Sequence, residues 1–169
     1  VRQQGVGNAL GRDVIEVPGS DLAAMVVYFG VDRRLAMYVA KMGDVLSGKA
    51  QWREVFKQSD DVREVDIGHG HVYVRSALNA PRFKVLKLKV PELNLSQAET
   101  LVPETQGVLR SISVAKDALY VTRREGVNTA LLRNPANIRA GGNDVQKLTL
   151  PLEGNVNVIG SPDHSELVV

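Results

Sequence analysis

Hydrophobic and polar residues alternate along this chain in short runs, and pairs of such runs return at intervals of roughly 45 residues. Each pair surrounds a short polar or glycine-containing turn, as two antiparallel strands do in a hairpin. The three copies are Val65–Ile67 with Val72–Val74, Ile112–Val114 with Leu119–Val121, and Val156–Val158 with Leu167–Val169. Strand repeats of this period are typical of β-propeller blades, which bury their faces against neighbouring blades. The pattern therefore predicts an all-β fold, a partial β-propeller.

The repeats divide the chain into about three four-stranded antiparallel blades and the start of a fourth, so that residues 1–169 form a segment of one propeller domain. We predict blades at residues 14–57, 62–103 and 108–151, and an incomplete blade at 155–169. Apolar positions that match between the first two copies are expected to lie in the core. They are Val65, Ile67, Val72, Val74, Ile112, Val114, Leu119 and Val121.

Two segments do not follow a simple alternation. Arg34–Met42 fits a helical face as well as a strand, but it occupies the same place in its repeat as Phe83–Val90 in the next, so we predict a strand. Within the latter segment Val85 and Leu86 are adjacent apolar residues, which a strictly alternating strand cannot place on one face. We therefore expect a twist or a bulge at these two residues.

The repeats stop before a ring can close, since closed propellers have at least four blades. The chain also begins without Met and ends inside a repeat, so we expect it to be a piece of a larger protein. An arc of blades leaves an apolar face uncovered at each end. The isolated segment is therefore expected to self-associate through its terminal blades.

Composition excludes several classes of partner. The 21 basic and 19 acidic residues leave a net charge of +2, so neither a nucleic-acid nor an anionic-membrane partner is predicted. No apolar run approaches the roughly 18 residues of a membrane-spanning helix. The chain has no cysteine, which excludes disulfides and thiolate metal sites and leaves the compartment, cytoplasmic or periplasmic, open.

His69 and His71 are the strongest candidates for a metal site. If they lie on a strand, their spacing places both imidazoles on one face. No third ligand is evident, and the glycines on either side of His69 favour a hairpin turn. We therefore predict neither a metal nor a cofactor.

The residue patterns of catalysis and phosphate binding are missing from the sequence. It contains no Gly-x-Ser-x-Gly nucleophile motif and no phosphate-binding glycine loop, so no catalytic residue is predicted. The lysines of the predicted strand at 82–90 could form a basic patch, but we interpret them as guards of an exposed sheet edge. They are Lys84, Lys87 and Lys89.

One stretch, Val72–Val85 with the sequence VYVRSALNAPRFKV, resembles a hallmark of the prolyl oligopeptidase family of serine peptidases. Three later segments resemble the family in the same order and spacing: Ala98–Glu104, Val108–Ile112 and Leu150–Val156. The resemblance covers most of residues 20–169. It implies a segment of the family's seven-bladed propeller, which caps a separate α/β-hydrolase domain carrying the catalytic Ser, Asp and His.

The resemblance also implies a substrate-facing loop after the second strand of a blade, where family members carry an Arg and a Cys. The matching positions here hold Tyr28 and Val31, so those two contacts are replaced. We predict Tyr28, Phe29, Val31 and Asp32 as the substrate-facing loop. No residue of the hydrolase domain is found in residues 1–169, so no catalytic residue is carried over.

The sequence thus favours the substrate-gating, size-filtering cap of a serine endopeptidase that cleaves proline-containing oligopeptides. Its implied partners are an α/β-hydrolase domain of the same parent chain and an oligopeptide substrate, and residues 1–169 alone are expected to be inactive. The alternative is a non-catalytic propeller that binds proteins or glycans as a scaffold. Propeller folds serve both purposes, so the fold alone does not decide between them.

Overall fold

The computed structural model describes residues 11–136, 145–150 and 154–168, without the side chains of residues 165–167. The predicted blade ends at 151 and 169 lie outside this part of the chain. The elements, in chain order, are β1 (Gly11–Glu16), β2 (Leu22–Phe29), β3 (Asp32–Lys41), α1 (Met42–Leu46), β4 (Arg53–Phe56), β5 (Val62–Gly68), β6 (His71–Ser76), β7 (Lys84–Lys89), β8 (Glu99–Val102), β9 (Val108–Val114), β10 (Ala118–Glu125), β11 (Asn128–Pro135), β12 (Gln146–Leu148), β13 (Ile159–Ser161) and β14 (His164–Val168).

These strands form three four-stranded antiparallel sheets and one two-stranded sheet. Within each larger sheet the strands are ordered as in the chain: β1-β2-β3-β4, β5-β6-β7-β8 and β9-β10-β11-β12. The last sheet pairs β13 with β14. Consecutive up-and-down sheets of this kind are propeller blades, so the predicted fold class, an all-β partial β-propeller, is confirmed.

Tight hairpins join the inner strands of the blades. Between β5 and β6, His69 and Gly70 have φ values of 54° and 70°, the left-handed pair that a two-residue hairpin needs to match the twist of its strands. Gly70 adopts this conformation without the penalty that a Cβ would bring. His69 and Gly70 therefore form the hairpin turn predicted within the Gly-His-Gly-His sequence.

Apolar side chains fill the space between neighbouring blades. Val26 and Met37 of the first blade pack with Val72 and Val74 of the second, and all four are buried. Equivalent clusters lie at the next two interfaces. Between the second and third blades the buried residues include Tyr73, Val85, Leu109, Leu119 and Val121, and between the third blade and the final strand pair they include Tyr120, Leu131 and Val158.

Because each blade lacks a core of its own, stability comes from the stacking of neighbours. Of the eight residues predicted to lie in the core, seven are buried, and Val65 is partly buried against the first cluster. The prediction of the core is confirmed.

Two predictions about individual strands are also confirmed. Arg34–Met42 is largely strand, since β3 runs through it to Lys41. The expected irregularity at Val85 and Leu86 is a register shift between these two residues in the pairing of β7 with β8.

The interpretation of the lysines as guards of an edge is wrong. β7 is an interior strand that pairs with β6 on one side and β8 on the other. Lys87 stands opposite Glu99 of β8, so a carboxylate on the neighbouring strand faces it. α1, a single helical turn between β3 and β4, was not predicted from the sequence.

Candidate functional site

The three inner strands, β1, β5 and β9, all start at the same face of the blades. Gly11 pairs with Tyr28 at the end of β2, Val62 with Ser76 at the end of β6, and Val108 with Arg124 near the end of β10. We call this the turn face, because the turn that joins the second strand of each blade to the third lies there. The predicted loop of residues 28–32 lies on the turn face of the first blade.

A cleft of about 760 Å³ opens between the first and second blades and reaches the turn face. Its walls come from β1, the β2–β3 turn and β5, with Arg75 of β6 and Arg110 of β9. This volume is within the range of ligand pockets, roughly 300–1,000 Å³.

Two of the four predicted loop residues, Tyr28 and Asp32, line this cleft. Val31 is fully exposed at the tip of the turn and is not part of the cleft wall. Phe29 packs against the small buried cluster that contains Met25 on the opposite face of β2. The structure therefore brings Tyr28 and Asp32 together and places Phe29 away from them.

The carboxylate of Asp32 is held by four donors. It accepts hydrogen bonds from the backbone N–H of Arg34 (3.0 Å), from Nε (3.0 Å) and Nη2 (2.6 Å) of the same guanidinium, and from Nε2 of Gln58 (2.8 Å). Arg34 holds the pKa of Asp32 well below its usual range. Asp32 thus orders the β2–β3 turn and ties it to the segment that enters the second blade.

Tyr28 presents a neutral phenol to the cleft. Burial and a hydrogen bond to Asp13 of β1 raise the pKa of Tyr28. The bond joins β1 to the end of β2, so the phenol ring is supported by its own blade. Because the phenol donates its one proton to Asp13, its oxygen can accept a hydrogen bond from a peptide N–H.

The floor of the cleft contains a partly buried ion pair. Nε of Arg75 donates to Oε2 of Glu64 at 2.8 Å. Burial raises the pKa of Glu64, although Arg75 opposes this. The guanidinium carbon of Arg75 also lies 4.3 Å from the centre of the Phe83 ring, which adds a cation–π contact.

Asp66, on the same strand, fastens the second blade to the third. Its carboxylate accepts from the N–H of Ile67 (2.8 Å) and from the N–H of Val114 on β9 (2.7 Å). Ser113 occupies the same place in the next blade, and its Oγ accepts from the N–H of Gly160 on β13 at 2.7 Å. A polar side chain at this repeat position therefore satisfies a backbone donor of the following blade.

The contacts of Asp66 lead to a prediction about pH. Burial raises the pKa of Asp66 above its ordinary value of 3.8, so the folded protein holds this proton more tightly than the unfolded chain. The resulting contribution to stability is present below about pH 3.8 and is lost as the pH rises through the folded value. We expect Asp66→Asn, which cannot titrate, to be destabilised relative to the wild type by more at about pH 4 than at about pH 7.5.

Denaturant unfolding of both proteins at the two pH values measures this difference. Ser113→Ala is the matched control, because it removes the equivalent side chain of the next blade without removing a titrating group. A destabilisation of Asp66→Asn that is equal at both pH values, or larger at the higher one, would contradict the prediction.

The two histidines considered for a metal site are engaged with the backbone. Nε2 of His69 donates to the carbonyl oxygen of Lys116 at 3.1 Å, and Nδ1 of His71 donates to that of His69 at 2.7 Å. In the part of the chain that the structure describes, no group of three or more His, Asp or Glu side chains is arranged to hold a metal ion. None of the described helices is long and apolar enough to cross a membrane.

Comparison with known proteins identifies the family of this chain. The sequence model of the prolyl oligopeptidase N-terminal β-propeller domain matches residues 27–168. No curated protein matches the chain in sequence.

Solved structures similar to this chain share its fold. One is a prolyl endopeptidase analysed for the role of inter-domain dynamics in catalysis and specificity (TM-score 0.70, 18% identity, 92% of this chain and 22% of that one). Another is prolyl oligopeptidase B from Galerina marginata without ligand (TM-score 0.70, 16% identity, 92% of this chain and 22% of that one). The same enzyme with a bound 35mer hydrolysis and macrocyclization substrate gives a TM-score of 0.70 at 15% identity, again covering 92% and 22%.

The chain thus spans about a fifth of the length of these structures. At such low identity the structures support the fold, whereas the family rests on the sequence match to residues 27–168. The resemblance noted in the sequence is confirmed by that match. The chain belongs to the prolyl oligopeptidase family of serine peptidases, as part of its N-terminal β-propeller domain.

Proposed function

We propose that this segment forms part of the substrate-gating, size-filtering cap of a serine endopeptidase that cleaves proline-containing oligopeptides. The observation that carries the proposal is the family match over residues 27–168. The catalytic α/β-hydrolase domain belongs to the same parent chain and covers the turn face. Tyr28, Val31 and Asp32 are at that face, and Phe29 supports them from the other side of β2.

The structure supports a rigid wall at this position. The β2–β3 turn is fixed by Asp32 through Arg34 and Gln58, and the blades are joined by Asp66 and Ser113. A wall that does not deform admits an extended peptide and rejects a folded protein, because the latter would have to displace packed blades.

The test is hydrolysis by the full chain that contains residues 1–169. We expect it to cleave chromogenic prolyl peptides and to be labelled on one serine by a fluorophosphonate. Residues 1–169 alone should do neither, because they carry no glycine-flanked Ser paired with a base. If the full chain is neither active nor labelled, the proposal is wrong and the propeller serves as a scaffold.

We also propose that residues 1–169, produced alone, self-associate through the C-terminal strand pair. Among the described residues β14 pairs only with β13, and Ile159 and Val168 are 68% and 69% exposed. An unpaired strand edge with apolar side chains favours strand addition by a second copy. The N-terminal blade at the opposite end exposes less apolar surface than expected, since its Met25 and Val27 are buried.

Sedimentation over a hundredfold range of concentration, on the order of 1 to 100 μM, measures this association. We expect the average mass to rise with concentration. A matched variant, Ile159→Lys, places a charge on the exposed strand and should weaken the association. A monodisperse monomer throughout the range would contradict the proposal.

A further inference from the structure

Two guanidinium groups of the cleft have no carboxylate partner within the described residues. Arg33 lies near the start of β3 and Arg110 on β9, and both side chains are exposed and line the cleft. The other arginines of the lining are neutralised, since Arg63 pairs with Asp61 and Arg75 with Glu64. The two unpaired cations come from the first and third blades and line the same cleft.

The acids of the cleft are almost all engaged. Asp32 is bound by Arg34, Asp13 shares a hydrogen bond with Tyr28, and Asp66 accepts two backbone N–H groups. Glu16 is the exception among the described residues of the lining.

Glu16 is remote from the turn face. It pairs with Ala23, whereas Gly11 at the start of β1 pairs with Tyr28 at that face. Gly11 and Glu16 are five residue steps apart, which corresponds to about 17 Å along a strand. Among the described residues, the turn-face end of the cleft therefore carries two unpaired guanidinium groups, Arg33 and Arg110, and one carboxylate without an arginine partner, that of Asp13. Glu16 and Asp66, which in the same part of the chain also pair with no arginine, lie toward the other end.

A cleft end that is lined by unpaired guanidinium groups is suited to bind carboxylates. A guanidinium offers a fork of N–H donors that matches a carboxylate with two parallel hydrogen bonds. The protein walls around a concave site also focus the field of its charges, which strengthens the attraction of an anion relative to an open surface. Neither Arg33 nor Arg110 has to break an ion pair within the described residues before it binds.

We propose that Arg33 and Arg110 make the enzyme prefer oligopeptides that carry carboxylates, by binding those groups at the turn-face end of the cleft. This inference rests on the proposed function, and it names the charge of the peptides that the same face admits. The two arginines act on specificity, and neither is a catalytic residue.

The experiment compares matched peptides hydrolysed by the full chain. Both contain one Gly-Pro-Gly core, flanked in one peptide by two Glu residues on each side and in the other by two Gln residues. Each is made with a free C-terminus and with a C-terminal amide, which separates side-chain carboxylates from the terminal one. We expect kcat/KM for the Glu peptide to exceed that for the Gln peptide by about tenfold, mainly through KM.

The double variant Arg33→Gln/Arg110→Gln tests the two residues. We expect its Glu-to-Gln ratio of kcat/KM to fall to within about twofold of one. Because the ratio is taken within one protein, a general loss of activity cancels. Arg12→Gln is the matched control, since Arg12 is an exposed arginine on β1 that does not line the cleft, and it should keep the wild-type ratio.

The outcomes separate the inference from the proposed function. A preference that is lost in the double variant, kept in Arg12→Gln and weakened between about 0.05 M and 0.5 M salt supports the inference. A preference that follows the free C-terminus also supports it and identifies the terminal carboxylate as the group bound. Equal hydrolysis of all four peptides, or a preference that survives in the double variant, overturns the inference alone. If the wild type cleaves neither peptide, the proposed function fails and the inference falls with it.

Discussion

Leu119→Ala is expected to lower the free energy of unfolding by about 2–5 kcal/mol. Leu119 is 1% exposed and lies in the cluster between the second and third blades, where Tyr73 and Val85 also pack. Truncation leaves a cavity between two stacked sheets whose interface is their main source of stability. Denaturant unfolding monitored by circular dichroism, at one protein concentration, measures the loss.

The matched control is Val127→Ala. Val127 lies in the turn between β10 and β11 and is 80% exposed, so its truncation is expected to change the free energy of unfolding by less than about 0.5 kcal/mol. If Leu119→Ala were no more destabilising than this control, the stacking of the second and third blades would be wrong.

Gly68→Ala is expected to destabilise the protein by about 1–3 kcal/mol through a clash between blades. A Cβ at Gly68 would lie 2.5 Å from Cγ1 of Val114, which is fully buried on β9. The backbone of Gly68 does not have a positive φ, so the cost comes from the close approach of the two inner strands. Denaturant unfolding of the single variant measures this cost.

A double-mutant cycle identifies the source of the cost. Val114→Ala removes the methyl groups that a new Cβ would meet, so Gly68→Ala/Val114→Ala should be less destabilised than the sum of the single variants by about 1 kcal/mol or more. Gly43→Ala is the control, because Gly43 lies in α1 and a Cβ there would meet no atom within 4 Å. Strict additivity of the two substitutions would show that β5 and β9 do not touch at this point.

The strand pattern made the fold predictable because burial on one face of a blade imposes alternation, and burial on both faces imposes a continuous apolar run. Leu22–Phe29 is strand throughout, since an apolar run bounded by a glycine turn can be buried on both sides. The repeat also resolved Arg34–Met42, where helical propensity and position disagreed and the position in the sheet prevailed.

Features that depend on neighbouring blades were not predictable in the same way. Several lysines, as in β7, are typical of a strand at a sheet edge, and only the pairing with β8 shows that β7 is an interior strand. The role of Asp66 could have been suspected from one signal, because it and Ser113 occupy the same place between two apolar residues in successive repeats. The Val114 N–H that Asp66 satisfies lies 48 positions away in the sequence.

The cleft itself arises from tertiary structure. Its charges come from β1, β3, β5, β6 and β9, so no single motif contains them. The resemblance to the family located Tyr28 and Asp32 near it but gave no indication of Arg33 or Arg110. Ion pairs such as that of Arg63 with Asp61 decide which charges of the cleft are left without a partner. Such pairs are visible only in the structure.

The central claim, that the propeller acts as a size filter over a peptidase, is tested most directly with one cleavable sequence in two settings. The full chain is given a proline-containing peptide free in solution and the same sequence as an exposed loop of a folded domain, and kcat/KM is measured for both. A nonspecific protease that cleaves both confirms that the loop is accessible. We predict efficient cleavage of the free peptide and no detectable cleavage of the loop. Similar values of kcat/KM for the two substrates would contradict the account.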